Sequence, residues 1–181
     1  LLRALIDTIP DLIFFKDCEG RYQACNPAIE AFLGRSAAEI LGKTDAELFP
    51  DAAARTFVEQ DQRAYASDTG VQLNEWVVRG DGAERLLESR KIPLKDAEGQ
   101  VWGLLTISHD ITVRHRNEHA LRETQAMMAS ILDNIPVRVF WKDRSLAYLG
   151  CNPLFAADAG LTRPEAIVGI TDHDLAWSDL A

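Results

Sequence analysis

Apolar and polar positions along the first 112 residues follow a period that changes twice. Leu2, Leu5, Ile6 and Ile9 share one helical face, and Pro10 ends that helix. Leu12 to Lys16 is an apolar and aromatic run of strand length, Asp17-Cys18-Glu19-Gly20 supplies a turn, and Arg21 to Cys25 reads as the returning strand of a hairpin. Asn26-Pro27 starts a short helix with Ile29, Phe32 and Leu33 on one face, closed by Gly34. Ser36 with Glu39 has capping-box spacing for a second short helix, and Thr44 to Phe49 reads as a third. Asp51 to Ser67 is a longer amphipathic helix whose acidic residues are read as its wet face. Beyond it the period becomes that of strands, over Val71 to Val78, Arg85 to Leu94 and Val101 to Ser108, separated by Gly80-Asp81-Gly82 and Asp96-Ala97-Glu98-Gly99. Two strands, several helices and three antiparallel strands predict an α+β domain with one sheet.

The chain then starts again. At an offset of 126, residues 6–41 align with 132–167; of these 36 pairs 13 are identical, among them Phe14/Phe140, Lys16/Lys142, Tyr22/Tyr148, Cys25/Cys151, Asn26/Asn152 and Pro27/Pro153. One inserted residue later, Gly42, Thr44, Asp45 and Leu48 match Gly169, Thr171, Asp172 and Leu175. One module used twice gives a division into an N-terminal helix (1–10), a complete domain (11–112), a linker helix (113–135) and the opening part of a second domain (136–181).

Within the linker, Leu121, Thr124, Met128, Ile131 and Ile135 alternate three- and four-residue steps, and Leu2, Leu5 and Ile9 align with the last three. Each unit is thus expected to follow a helix that pairs with its counterpart in a homodimer, with Leu2, Leu5, Leu121, Met128 and Ile131 at the seam. About 23 helical residues span roughly 35 Å, the length of a lever between domains.

Composition narrows the function. Hydrophobic residues make up 47% of the chain, enough for a packed core, and a net charge of −9 argues against nucleic acid or an anionic membrane as partner. No apolar run reaches the length of a membrane span. The three cysteines, Cys18, Cys25 and Cys151, lack a disulfide or zinc framework, and a reducing cytoplasm fits them. His115 and His119 stand at i and i+4 without a third ligand, so no metal site is expected. His109, at the end of the last strand, reads as structural. Ser89 and Ser108 lack the setting of a nucleophile, so no catalytic residue is assigned and the chain is expected not to be an enzyme.

Phe15-Lys16-Asp17, Glu19-Gly20-Arg21-Tyr22, Asn26-Pro27, the three-strand meander and His109-Asp110-Ile111-Thr112 before a polar helix together resemble a PAS domain. Phe140-Trp141-Lys142-Asp143, Cys151-Asn152-Pro153 and Gly169-Ile170-Thr171-Asp172 resemble the start of a second. The resemblance implies a five-stranded antiparallel sheet with helices over one face, in a sensory or dimerisation module that relays a signal to an output domain such as a histidine kinase or diguanylate cyclase in the same polypeptide. It places a ligand cavity between the sheet and the helices of residues 26–67, with Phe14, Ile29, Phe32, Leu33, Phe57, Trp76, Leu105 and Ile107 as candidate lining. It makes Asp110, paired with a basic residue, and Thr112 the transmission residues. Haem is disfavoured because Asp51 to Ser67 carries no histidine. Photoadduct flavin chemistry is disfavoured because Cys25 precedes Asn26. Noncovalent flavin stays open, with Trp76, Trp102, Phe32 and Phe57 as aromatic walls, as does a small organic ligand. The alternative is a ligand-free unit that only dimerises and relays.

Overall fold

The computed structural model describes residues 1–175, the side chain of Leu2 excepted. The chain divides into two compact units, Leu1–Arg116 and the part from Asn117 onward.

In the first unit, helix α1 (Leu2–Thr8) leads into strand β1 (Leu12–Asp17), which turns at Gly20 into β2 (Tyr22–Cys25). The turn is closed by the Asp17 carboxylate, which accepts from the N–H groups of Glu19 and Arg21. Four helices follow: α2 (Pro27–Leu33), α3 (Ala37–Ile40), α4 (Asp45–Leu48) and α5 (Asp51–Tyr65). Asn26 shows why the chain turns where it does. Fully buried, its Oδ1 accepts from the N–H of Ile13 at 3.1 Å and of Ile29 at 3.3 Å, and its Nδ2 donates to the Asp11 carbonyl at 2.9 Å. One amide thereby caps α2 and ties it to the start of β1. Gly34 ends α2 at φ 66°, a left-handed conformation that costs glycine nothing. Both capping boxes form, Ser36 with Glu39 and Thr44 with Glu47.

Strands β3 (Val71–Val78), β4 (Glu84–Lys95) and β5 (Val101–Asp110) complete one antiparallel sheet in the order β2-β1-β5-β4-β3. The first strand therefore lies beside the last, with Phe14 opposite Thr106, and Thr106 in turn opposite Lys91 of β4. Gly103 of β5 is required by packing: a Cβ there would come within 2.0 Å of the Phe15 ring. One core, including Leu12, Tyr22, Ile29, Phe32, Ile40 and Phe57, joins the inner face of the sheet to the helices. The α+β architecture and all five expected strands are present, with end shifts of one or two residues.

Helix α6 (Thr112–Asn134) leaves β5. The second unit carries β6 (Phe140–Lys142), β7 (Tyr148–Cys151), α7 (Pro153–Asp158) and 3-10 turns at Pro164–Ile167 and Asp172–Asp174. It reproduces the asparagine weld. Asn152 Oδ1 accepts from Val139 and Phe155 N–H, both at 3.1 Å, and Nδ2 donates to the Val137 carbonyl at 2.8 Å. The repeat register needs one correction. Ile40 and Ile167 are both fully buried at the ends of matching turns, so the inserted residue falls before α3 and not after Leu41. Cys25 and Cys151 pack against the cores of their own units, as the repeat predicts.

Candidate functional site

Between the inner face of the sheet and α2, α4 and α5 lies a cavity of about 30 Å³, room for one or two water molecules. Phe14, Ile29, Phe32 and Phe57 line it. Leu33 is buried in the surrounding core and does not reach it. Trp76, Leu105 and Ile107 lie on the other side of the sheet, which corrects the expected lining. Trp76 is 51% exposed and meets His115 edge-on at 6.1 Å; Leu105 lines a groove with Ile13 and Phe15 beneath α1; Ile107 lies beside Gln72 and Arg90. Strand residues alternate faces, and the residues that do face the cavity are Glu75, Val77, Thr106 and Ser108. Hydrophobicity misplaces these positions because the middle of the inner face is polar.

The floor of the cavity is a cluster of buried charges that hydrophobic patterning does not mark. Lys16 and Lys91, with side chains 2% and 3% exposed, are buried with Asp45 and Asp61, at 3% and 9%. The Lys16 ammonium donates to Asp45 Oδ2 at 2.5 Å and to Asp61 Oδ2 at 2.9 Å, and Lys91 donates to Asp61 Oδ1 at 2.6 Å. Tyr22 Oη donates to Asp45 Oδ1 at 3.0 Å; burial and then the Asp45 carboxylate push that phenol well above its ordinary pKa, so it stays a donor. The ammoniums also lie over aromatic rings, Lys16 4.9 Å from the Tyr22 centroid and Lys91 5.8 Å from that of Phe57. Glu75 accepts from Gln60 at 2.8 Å and from Ser89 at 3.1 Å, and Ser89 pairs with Ser108 at 2.8 Å. Asp61 thus leaves the wet face assigned to the acids of α5.

Half of this arrangement recurs in the second unit, where Lys142 and Tyr148 both donate to Asp172 at 2.5 Å. The hydrogen bond to Asp172 raises the Lys142 pKa, and the bonds from Lys142 and then Tyr148 lower that of Asp172. The signal was in the repeat: Lys16, Tyr22 and Asp45 have identical counterparts in Lys142, Tyr148 and Asp172.

The exit from the sheet is the second assembly. Asp110 Oδ1 accepts from the Thr112 N–H at 2.9 Å and from its hydroxyl at 2.5 Å, and the same hydroxyl accepts from the Leu86 N–H at 2.8 Å. Arg85 supplies the basic partner, 3.7 Å from Asp110 Oδ2. Burial opposes ionisation of Asp110, yet the Thr112 bonds and Arg85 hold its carboxyl below the usual value. His109 Nδ1 lies 2.6 Å from Asp11, which fastens the end of β5 to the segment after α1.

At the expected dimer seam, Leu5, Leu121, Met128 and Ile131 are each more than half exposed, while the Leu2 side chain lies outside the described residues. For a flavin the residues do not fit. Trp76 and Trp102, expected as aromatic walls, are away from the cavity, Trp102 packing on Phe15 with centroids 4.6 Å apart. No helix among the described residues is long and apolar enough to cross a membrane.

The PAS fold family model matches residues 6–116. The chain is 28% identical over 134 residues to the aerobic respiration control sensor protein ArcB of Escherichia coli, covering 74% of this chain and 17% of that protein. The PAS domain of Bordetella pertussis BvgS superposes with a TM-score of 0.55 at 32% identity, over 68% of this chain and 95% of that one. VqmA bound to DPO superposes with a TM-score of 0.55 at 26% identity, over 60% of this chain and 55% of that one. With the sheet order, the helices over one face and the Asp110-Ile111-Thr112 exit in place, the chain belongs to the PAS family, as a sensory module related to those of histidine kinases and diguanylate cyclases.

Proposed function

We propose that residues 6–116 take a small ligand in the inner cavity and pass its occupancy through α6 to an output domain of the histidine kinase or diguanylate cyclase kind. The observation that carries this reading is that cavity and exit lie on the same two strands. Ser108 lines the cavity, and Asp110, two residues on, holds the start of α6. Leu87 lines the cavity, and its neighbours Leu86 and Arg85 bond Thr112 and Asp110. Two strand residues span roughly 7 Å, so a shift of either strand at the cavity reaches the exit junction within one hydrogen-bonded ladder. Occupancy then biases α6 between two arrangements in proportion to the ligand's differential affinity for them. VqmA, a similar structure, is described as bound to DPO, which supports a small molecule.

A second reading, a ligand-free unit that dimerises and relays, is favoured by the small volume of about 30 Å³ and by charges already paired with one another. Native followed by denaturing mass spectrometry separates the two. A stoichiometric small mass released on denaturation supports the sensor. A bare chain that no compound of a metabolite library stabilises in a thermal-shift screen supports the relay.

A further inference from the structure

Resting on the ligand-binding reading, we infer that the cavity takes a small uncharged molecule, about one ring in size, that offers a hydrogen-bond acceptor to Lys91 and Thr106. Three observations on one wall lead there. Thr106, at the centre of β5, is 1% exposed and lines the cavity, yet its hydroxyl has no partner among the described residues. Buried polar groups are nearly always satisfied, and a native exception calls for a missing partner. Beside it in the ladder, Lys91 also lines the cavity and spends one N–H on Asp61, so two of its three donors meet no oxygen among the described residues. Phe14, on the opposite side of Thr106, and Phe57 supply aromatic surface to either side of these donors.

Charge selects the class. Lys16 and Lys91 are already neutralised by Asp45 and Asp61, and Glu75 adds a further carboxylate to the lining. An incoming carboxylate would be buried among carboxylates without an uncompensated cation to meet it. An incoming cation has no lone pair to offer the spare Lys91 N–H groups and the Thr106 hydroxyl, and it would be buried beside the Lys91 ammonium. What the wall lacks is an acceptor without charge, such as a ring carbonyl or ring nitrogen. A purely apolar ligand would leave the Lys91 and Thr106 donors as they are. The cavity is smaller than a ring, so a ring enters only if the lining yields, and the edge-to-face pair Phe49 and Phe57, 4.9 Å apart, lines it at the α4–α5 side.

The test is calorimetric titration of the chain with 2-pyridone, benzoate, benzylamine and toluene, repeated on Thr106→Val and Lys91→Met. Saturable binding of 2-pyridone in preference to the other three is expected, weakened roughly three- to tenfold by Thr106→Val. Lys91→Met strips a buried carboxylate of its partner and threatens folding, whereas Thr106→Val keeps shape and removes an unpartnered hydroxyl; it should melt no lower than the parent. Benzoate, benzylamine or toluene binding as well as 2-pyridone overturns the inferred class and leaves the ligand-binding reading standing. Unchanged 2-pyridone affinity in well-folded Thr106→Val overturns the anchoring. No binding by any probe, together with a bare chain in mass spectrometry, overturns both.

Discussion

Asp61 carries more than its place on a helix suggests. Its carboxylate holds two ammonium groups, one on β1 and one on β4, and so fastens α5 across the middle of the sheet. Charges buried this deeply are tolerated because each has its counter-charge within hydrogen-bond reach; removing one partner leaves the other exposed to the full desolvation penalty. Asp61→Ala is therefore expected to cost about 3–5 kcal/mol, read as a fall in the urea midpoint with little change in slope. A loss below about 1 kcal/mol would mean that water replaces the carboxylate there. The residues of this floor were unevenly legible. Lys16, Tyr22 and Asp45 are marked by identity with Lys142, Tyr148 and Asp172, a doubled coincidence of polar residues beside aromatic strands. Nothing marks Asp61 or Lys91, because the repeat matches extend only from residue 6 to residue 48 of the first copy. Within α5, Asp61 is one acid among several, and only the fold separates it from those that face water.

At the scale of elements, the exit of β5 into α6 is a capped junction with a pH dependence of known sign. Asp110 is held below its usual value in the folded chain, so the unfolded chain takes up a proton first as pH falls. Its contribution is fully present above the unfolded value near 4 and is lost as pH drops through the lower folded value. Nearly half of the Asp110 side chain is exposed, so solvent screens the interaction and the effect is local. Hydrogen exchange of the Thr112 and Arg114 amides should accelerate below pH 4 beyond the intrinsic pH trend, and Asp110→Asn should show the faster exchange at pH 7 already. Equal protection in parent and variant at pH 7 would remove Asp110 from the junction. The element boundaries were legible because caps and turns are local: Asn26-Pro27, Ser36 with Glu39 and Gly34 each do what their residue types dictate. Strand faces were not. In Val71–Val78 apolar residues occupy both phases, and the bulky Trp76 suggests an inner position that Glu75 and Val77 hold instead. Face is a property of the neighbouring strands and helices, which a single strand's pattern does not carry.

For the whole molecule, the exposed side chains of α6 motivate a homodimer. Leu121, Met128 and Ile131 repeat at seven and three residues and are more than half exposed in the single chain, an apolar stripe without cover among the described residues. Sedimentation should find a dimer, and replacing all three by Ser should give a monomer whose 6–116 unit melts as before. A monomeric parent at high micromolar concentration would discard the seam. The sheet order has another outcome, during synthesis of the chain. Because β1 lies between β2 and β5, its inner neighbour is made about ninety residues after it. At about 5–20 residues per second, the nascent hairpin waits roughly 5–18 s with one edge unpaired. Through the first part of that interval, until Asp45 and Asp61 have been made, Lys16 puts an uncompensated buried-face charge on an apolar strand whose free edge would otherwise invite pairing with a neighbouring chain. The group that locks the finished sheet is thus, earlier in synthesis, a charge of the kind that discourages edge-to-edge pairing.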